Sequence, residues 1–584
     1  MKGKEILTQF IRKHIWEYVF GTVVLIISSV IASLIPKLLG LITDGLNKKN
    51  VSSGQVMQYV LIMLGVAAAV FVLKFIWRYF LIGNCRNVEC YLRDRLFKHL
   101  QTLSVSFYNN HKTGDLVAYA INDIQAVRMV FGFGIVAILE GVVINSVSIF
   151  IMVKTINPIL TLIALGPIPL IVVILVKLRL EIRDRFGRVQ KAFAEISEKV
   201  QENISGVRVV KAFAQETEEV EDFITYSRKR VDTHMHLIKA SAMLGPATQV
   251  CFGVSFLLFI IYGSQLVVNG TISLGDYVAF NTYIMAIMGP ITNIARIIEV
   301  WQKGVASFRR LDEIFSYPSH IQDTEFEKVD NIEGEVLIKN LNFSYPGASK
   351  RALKNINIHV EKGKTLGILG KTGSGKTTLV NLLLRLYDVG DGHILVDGKD
   401  INSIPVDVLR ENIGYVPQDN FLFSTTIKNN IEFFRHDHTE DEVMEATRMA
   451  GVYDNIVSFP NGFDTVVGER GVTLSGGQKQ RISIARAIIK APSILILDDS
   501  LSAVDTKTEE IILNNIKTIL KDRTGVIISH RVSSVKHADE IVFMDKGKIV
   551  ERGTHEELME LKGLYYDLYR IQMDQNEAGE EVAV

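Results

Sequence analysis

Six apolar runs, each close to the length a helix needs to cross a bilayer, fill the first half of this chain. They cover residues 16–39, 57–82, 127–153, 159–176, 242–268 and 277–300. Hydrocarbon offers backbone groups no partners, so such runs satisfy their own N–H and C=O groups as α-helices. The third and fifth are long enough to tilt or to extend past the membrane. Tyr18, Trp77, Tyr79 and Tyr262 lie near run ends, where amphipathic rings prefer the interface. Residues 1–14 mix Lys2, Lys4, Arg12 and Lys13 with Ile6, Leu7, Phe10 and Ile11, the pattern of a basic amphipathic helix on a membrane surface. No small-residue cleavage site follows, so the first run reads as a span rather than a signal peptide.

The connections between runs are unequal in charge. Those after runs one, three and five carry only Lys48, Lys49 and Lys154 as basic residues. Those after runs two and four are long and rich in Arg and Lys, including Arg93, Arg95, Arg183 and Arg228. The positive-inside rule then places both termini in the cytoplasm. Helical apolar spacing over 84–103 and 180–200 predicts that the membrane helices continue into these inner loops. Each loop also holds a turn, 107–115 and 205–213, suited to touching a second domain.

The whole chain has 584 residues and balances 64 basic against 64 acidic side chains. A mean hydropathy of +0.22 is high for a soluble chain with 22% charged residues. The balance hides an asymmetry: residues 1–305 hold 31 Lys/Arg and 21 Asp/Glu, leaving 33 and 43 for the remainder. A basic membrane half is therefore joined to an acidic soluble half, which excludes a polycationic nucleic-acid binder, a disordered chain and a simple soluble enzyme. Cys85, Cys90 and Cys251 are too few for a disulfide framework and fit a reducing compartment or membrane packing.

After a charged linker the pattern switches to short β-rich runs. The strand 365–369 leads directly into Gly370, Lys371, Thr372, Gly373, Ser374, Gly375, Lys376, Thr377 and Thr378, and a helix follows over 379–386. Strand, glycine loop and helix in this order form a P-loop, whose backbone N–H groups converge on phosphate oxygens. Lys376 is placed to bridge the β- and γ-phosphates of ATP, and Thr377 to offer a hydroxyl to Mg²⁺. A second buried strand, 494–497, ends in Asp498 and Asp499, the Walker B arrangement in which Asp498 orients Mg²⁺.

Between these elements stand Leu474, Ser475, Gly476, Gly477 and Gln478. Together with the P-loop and Asp498 they make the sequence resemble the nucleotide-binding domain of ATP-binding cassette (ABC) transporters, whose signature motif this string matches. The resemblance extends, in order, to Tyr345 as the aromatic stacking on adenine, Gln418 as the Q-loop glutamine beside Mg²⁺, 468–471 as the X-loop, 500–505 as the D-loop and His530 as the switch histidine. With six spans ahead of one cassette, nearly the whole chain is similar to a bacterial multidrug exporter half-transporter of type IV fold. That implies a membrane α-helical bundle with long cytoplasmic extensions fused to an α/β P-loop nucleotide-binding domain. Boundaries follow: 1–14 interfacial helix, 15–305 transmembrane domain, 306–334 linker, 335–575 nucleotide-binding domain and 576–584 a disordered acidic tail. The turns at 107–116 and 205–213 would be the coupling helices.

In that family each ATP is held by one cassette's P-loop and capped by the other's signature, so Ser475, Gly476, Gly477 and Gln478 would serve a partner's nucleotide. Asp499 departs from the family, which usually has Glu there to position or deprotonate the attacking water. The chain therefore resembles the degenerate-site subunit of a heterodimeric exporter in the cytoplasmic membrane, with Asp499, Gln418 and His530 as its catalytic set. The implied cargo is hydrophobic or amphipathic drugs, some cationic. Tyr283, Met285, Met288, Asn293 and Arg296 are candidates for lining a cavity, and Glu140, a carboxylate within the third run, for contacting a cation. A lipid flippase, a homodimeric exporter and a nucleotide-gated channel or sensor are the alternatives on the same sequence.

Overall fold

The computed structural model describes residues 3–47, 52–318, 331–433, 435, 437–468, 474–501 and 506–582. The chain divides into two units, one of residues 1–101 and 113–317, the other of residues 102–112 and 318–584.

The first unit is all helical. Among the described residues six segments are long and apolar enough to cross a membrane: Ile15–Asn47, Ser53–Gln101, Thr113–Ile156, Pro158–Ser205, Glu216–Val268 and Leu274–Ser316. They match the six apolar runs. Ahead of them lies α1 (Gly3–Lys13), whose apolar face is not spent on lipid alone. Ile6 and Phe10 are buried, with the Phe10 ring 5.3 Å from that of Tyr91, and the Lys4 N–H reaches the Asp312 carboxylate at 3.3 Å.

The first span is broken into α2 (Ile15–Ala32) and α3 (Leu34–Asn47). Pro36 explains the break, since it lacks an N–H and its ring crowds the carbonyl four residues back. The Ser33 hydroxyl turns back onto the Val30 carbonyl at 2.6 Å, and the Ser33 carbonyl accepts the Tyr283 hydroxyl at 2.8 Å. Tyr283 is thus a buried tie between spans one and six rather than a cavity-lining residue. The second span, α4 (Ser53–Gln101), buries Trp77 to 3% exposure with Leu25 and Leu81, so this ring is core and not part of an interfacial belt.

Between α4 and the next helix of this unit, α5 (Val105–Asn110) belongs to the second unit. The third span comprises α6 (Thr113–Ala118), α7 (Ile124–Met129) and α8 (Ile135–Ile151), separated by π-helical turns at Tyr119–Asp123 and Val130–Gly134 and followed by a third at Met152–Ile156. The first π turn carries Asp123, whose carboxylate accepts Arg310 at 2.5 and 2.9 Å and the Ser307 hydroxyl at 2.8 Å. The fourth span runs from α9 (Pro158–Leu165) into α10 (Ile168–Ser205). After the short α11 (Val207–Ala212), α12 (Glu216–Ala242) and α13 (Leu244–Val268) make the fifth. The sixth is α14 (Leu274–Ser316), started by a Ser273–Asp276 capping box. It passes the expected end of the membrane domain at 305 because Leu311, Ile314 and Phe315 continue its buried stripe.

Among the described residues the second unit carries two sheets. β1 (Val336–Phe343), β2 (Leu353–Val360), β4 (Ile394–Val396) and β5 (Lys399–Asp400) form an antiparallel sheet in the order β2-β1-β4-β5. A six-stranded sheet has the order β10-β9-β3-β8-β7-β6, with β3 (Thr365–Gly370), β6 (Ile413–Val416), β7 (Ile494–Asp498), β8 (Thr524–Ile528) and β9 (Glu540–Asp545) parallel and β10 (Lys548–Gly553) antiparallel at one edge. Both faces of the parallel strands are covered, so successive side chains enter different cores. Ile368 joins the core shared with the antiparallel sheet and α15 (Lys376–Leu383), whereas Leu369 joins the helical core on the other face. That helical side comprises α17 (Ile427–Glu432), α18 (Glu440–Met449), α19 (Tyr453–Val457), α20 (Gly476–Ile488), α21 (Thr506–Ile519), α22 (His555–Leu561) and α23 (Leu564–Val582), whereas α16 (Val406–Glu411) packs Leu409 into the core of Ile368. Of the acidic tail expected to lack structure, residues 576–582 belong to α23, and 583–584 lie outside the described residues. Within this unit Phe107 of α5 is fully buried and stacks on His111 at 4.0 Å, and Asn109 donates to the Tyr387 hydroxyl at 3.0 Å.

Spans one and six approach closely where Gly275 faces Gly40. The Asp44 carboxylate accepts the Gly275 N–H at 2.6 Å, and a Cβ on Gly275 would lie 2.1 Å from the Gly40 carbonyl oxygen. Gly275→Ala is expected to cost about 1–3 kcal/mol by overpacking, read as a lowered thermal midpoint of the purified protein in detergent.

Candidate nucleotide site

β3 is flanked by β8 and β9, so its end delivers the glycine loop from a rigid position. The loop turns into α15 at Gly375, where φ is +104° and a Cβ would lie 2.8 Å from Leu353 Cδ2 and 3.0 Å from the Ala352 carbonyl. Backbone conformation and close approach both demand glycine here.

Lys376 is buried, and its ammonium donates to the Gly370 carbonyl at 2.7 Å and the Lys371 carbonyl at 3.1 Å. Burial lowers its pKa, while the nearby Asp498 and Asp499 carboxylates pull it back up. Asp498, at the end of β7, is 2% exposed. Burial raises its pKa, with Asp499 acting in the same sense; the Thr377 hydroxyl and Lys376 oppose the shift. Among the described residues its Oδ2 has no hydrogen-bond partner. A buried carboxylate oxygen with unused acceptor capacity beside a threonine hydroxyl fits a hard divalent cation such as Mg²⁺. Among the described residues there is no cluster of three or more His, Cys, Asp and Glu side chains.

A cavity of about 310 Å³ brings the predicted residues together. Tyr345, residues 372–378, Gln418, Asp498, Asp499 and His530 all line it, joined by Ala352 and Ile528. Gly370 and Lys371 do not line it; their carbonyls hold the Lys376 ammonium. The Tyr345 hydroxyl donates to Thr378 Oγ1 at 2.9 Å, and its ring meets those of Phe343 and Tyr387 edge-on. His530 follows β8. Burial and the Lys376 charge lower its pKa, against Asp499 and a hydrogen bond to the Gly370 backbone, so the ring is neutral at pH 7.

Ser475, Gly476, Gly477 and Gln478 are not part of this cavity. They form the start of α20, where Ser475 is the N-cap and Gln478 closes a capping box: the Ser475 N–H donates to Gln478 Oε1 at 3.0 Å and the Gln478 N–H to Ser475 Oγ at 3.3 Å. Gln478 thereby braces its own helix end, as its spacing from Ser475 allows. Ser475 and Gly476 are exposed. Residues 469–471 of the expected X-loop and 502–505 of the expected D-loop lie outside the described residues.

Two glutamines escape sequence reasoning. Gln480 donates to the Asp499 carbonyl at 3.2 Å. Gln572 of α23 donates to the His530 carbonyl at 2.7 Å and accepts the Val532 N–H at 2.9 Å, so it clamps the histidine segment on both sides. No local signal marks Gln572, because its partners are about forty residues away in sequence.

Two family models match the chain, the ABC transporter transmembrane region over residues 18–291 and the ABC transporter model over residues 353–502. Over 563 residues it is 39% identical to the probable multidrug resistance ABC transporter ATP-binding/permease protein YheI of Bacillus subtilis, covering 96% of each chain. It is 34% identical to the multidrug resistance-like ATP-binding protein MdlA of Escherichia coli, over 97% of this chain and 96% of the relative. An ATP-dependent lipid A-core flippase of Syntrophus aciditrophicus is 33% identical over 84% of this chain and 81% of its own length.

Asp498 offers a test of the metal assignment. Its folded-state pKa lies above the ordinary 3.8, so the fold favours the protonated form, and this group's contribution to stability falls as pH rises through the raised value. At pH 7 Asp498→Asn is therefore expected to leave the nucleotide-free thermal midpoint unchanged or higher. The same variant is expected to lose the rise in midpoint that Mg-ATP gives the parent, both read by differential scanning fluorimetry.

Proposed function

The chain belongs to the ATP-binding cassette transporter family as an exporter-type half-transporter, and from that premise we propose that it exports hydrophobic or amphipathic drugs as one subunit of a heterodimer. It is an ATPase-coupled membrane transporter. In the proposed cycle the P-loop N–H groups and Lys376 bind the phosphates, Tyr345 receives the adenine, and Thr377, Gln418 and Asp498 hold Mg²⁺. When bound, the ion neutralises charge developing on the transferring phosphoryl group. Asp499 lines the cavity and would take the proton of an attacking water, with the neutral His530 ring in the same lining. ATP stabilises the closed pair of cassettes over the open pair, and that difference drives the spans to turn the cavity outward.

The observation that carries the heterodimer reading is Asp499. Asp is one methylene shorter than Glu, which sets its carboxylate back by about 1.5 Å, one C–C bond. The backbone cannot slide forward to compensate. Asp499 sits at φ +47°, its N–H donates to the Ile528 carbonyl at 2.9 Å, and its carbonyl accepts Gln480. A misplacement of about 1 Å can cost about 10²-fold in rate, and general-base catalysis is worth about 10²–10⁴-fold. This chain's own site therefore binds nucleotide and turns it over slowly, while its intact signature completes a partner's site. The need for a partner has two further supports. The start of α20 is exposed and lies outside the chain's own nucleotide cavity. On and beside α11, Val209 is 61% and Phe213 74% exposed, an apolar turn suited to a second cassette.

The drug reading is supported by a cavity of about 560 Å³ among spans two, three and six, lined by Trp77, Phe133, Glu140 and Asn293. Arg296 stacks on Phe133 with its guanidinium carbon 4.6 Å from the ring. Met288 packs against the core of spans four to six, and Met285 is 52% exposed away from this cavity. A lipid cargo is the second reading, favoured by Arg78 and Arg128 in the same lining and by the name of the flippase relative.

The chain alone in lipid is expected to show little Mg-ATPase, and Asp499→Glu to raise it about 10²-fold. Transporter-like turnover by the parent alone would sink the heterodimer reading. In drug-stimulated ATPase assays, Glu140→Gln is expected to lose the response to cationic compounds while keeping that to neutral ones. An equal response to both would remove Glu140 from the substrate site.

A further inference from the structure

We infer that a second cavity, of about 540 Å³ between α10, α13 and α14, binds the headgroup and upper acyl chains of an anionic phospholipid. It shares no lining residue with the Glu140 cavity or the nucleotide site. The inference rests on the spans crossing a membrane, and not on the cargo or on the heterodimer.

Hydropathy sets the depth of this cavity. On its wall, Val176 ends the fourth apolar run, Leu244 stands at the start of the fifth and Ile298 near the end of the sixth. Three helices therefore pass from apolar to charged sequence at one level, and the cavity lies at that crossing. On the charged side α10 presents Arg179 and Arg183, four residues apart on one helix face, and α14 adds Lys303. Among the described residues Glu299 is the one carboxylate in the lining, leaving three cations against one anion. Arg183 lies 3.9 Å from Asp184, an exposed pair that water and salt weaken. Arg179 and Lys303 make no ion pair among the described residues. On the apolar side stand Val176, Leu244 and Ile298, the last 43% exposed; Leu180 and Phe186 continue the apolar lining between and beyond the two arginines.

Cations above and apolar wall below match one chemistry, a phosphate carrying hydrocarbon chains. Arginine pairs with phosphate oxygens through two parallel N–H groups, and basic pockets between membrane helices select anionic headgroups. Free phosphate would use the cations but leave the apolar wall wet. A zwitterionic lipid brings its own cation, which three basic side chains disfavour.

The test uses the purified full-length chain in detergent, titrated with dioleoyl phosphatidylglycerol and, separately, dioleoyl phosphatidylcholine, with bound lipid counted by native mass spectrometry. Phosphatidylglycerol is expected to bind at least about tenfold more tightly than phosphatidylcholine. Arg179→Ala/Lys303→Ala is expected to weaken it by about tenfold or more, at roughly fivefold per cation, and to leave phosphatidylcholine unchanged. Leu244→Trp, which fills the cavity without altering charge, is expected to weaken phosphatidylglycerol too, while Arg179→Lys/Lys303→Arg retains it. Mg-ATP binding by every variant checks that each is folded. Equal affinity of the parent for the two lipids, or unchanged phosphatidylglycerol affinity in both the double alanine and the tryptophan variants, would overturn the assignment. Displacement of the lipid by inorganic phosphate at the same concentration would make this a free-anion site and overturn it as well. So would a loss of lipid that follows the monomer-to-dimer ratio in the same spectra, since a second copy would then cover the wall.

Discussion

A bilayer interior that cannot hydrogen-bond to the backbone forces the first unit into helices, and the other features of that unit follow from it. At about 1.5 Å per residue, the 38-residue α10 is nearly twice the roughly 30 Å thickness of hydrocarbon. The excess has to run on as a charged rod, and the same holds for α4 and α14. Where the rods stop, short turns are left at their ends, α5 and α11. At the ends of spans one and six, where the apolar runs give out, glycines let the helices approach closely, and Gly40 faces Gly275. Breaks in the ladder are put to use: Pro36 loosens the first span at Ser33, and a tyrosine from the sixth takes up the Ser33 carbonyl.

The nucleotide unit rests on a different balance, opposite charges held together out of water. Lys376 and Asp498 are both buried, and burial pushes each toward its neutral form. Each charge partly restores the other. The remaining capacity is asymmetric: the ammonium is satisfied by two carbonyls of its own loop, whereas one oxygen of Asp498 is not satisfied. A site of this kind favours a ligand that brings phosphate oxygens to the lysine and a divalent cation to the carboxylate. The rigidity comes from β3, β7 and β8, which are neighbours in the sheet and carry Gly370, Asp498 and the His530 segment at the same ends.

What the chain lacks is also structural. The signature helix ends in a tidy capping box outside its own nucleotide cavity, and α11 offers apolar side chains to solvent. Both features suit the proposed partner, and the short carboxylate of Asp499, pinned at both ends of its backbone, suits a partner that carries the faster site. The lipid cavity adds a second level at which the membrane enters the mechanism, as a ligand at the boundary where three apolar runs give out.

The six spans, the P-loop and the strand ending in Asp498 were legible in the sequence because each is a local pattern. A membrane run needs only its own apolarity, and a phosphate loop needs only glycine, lysine and threonine in one order between a strand and a helix. Side-chain destinations were not legible. Tyr283 reads as a cavity residue on a helix drawn alone, yet its hydroxyl is spent on a carbonyl 250 residues away, at the break in the first span. Trp77 reads as interfacial and is core; Phe10 reads as lipid-facing and packs beside Tyr91. Gln572 holds the histidine segment with no motif to announce it. Apolarity and turn chemistry act over a few residues, so the order of residues alone determined the elements and the nucleotide-binding loop. Which polar group meets which depends on distances between segments far apart in the chain, and only tertiary packing decides those.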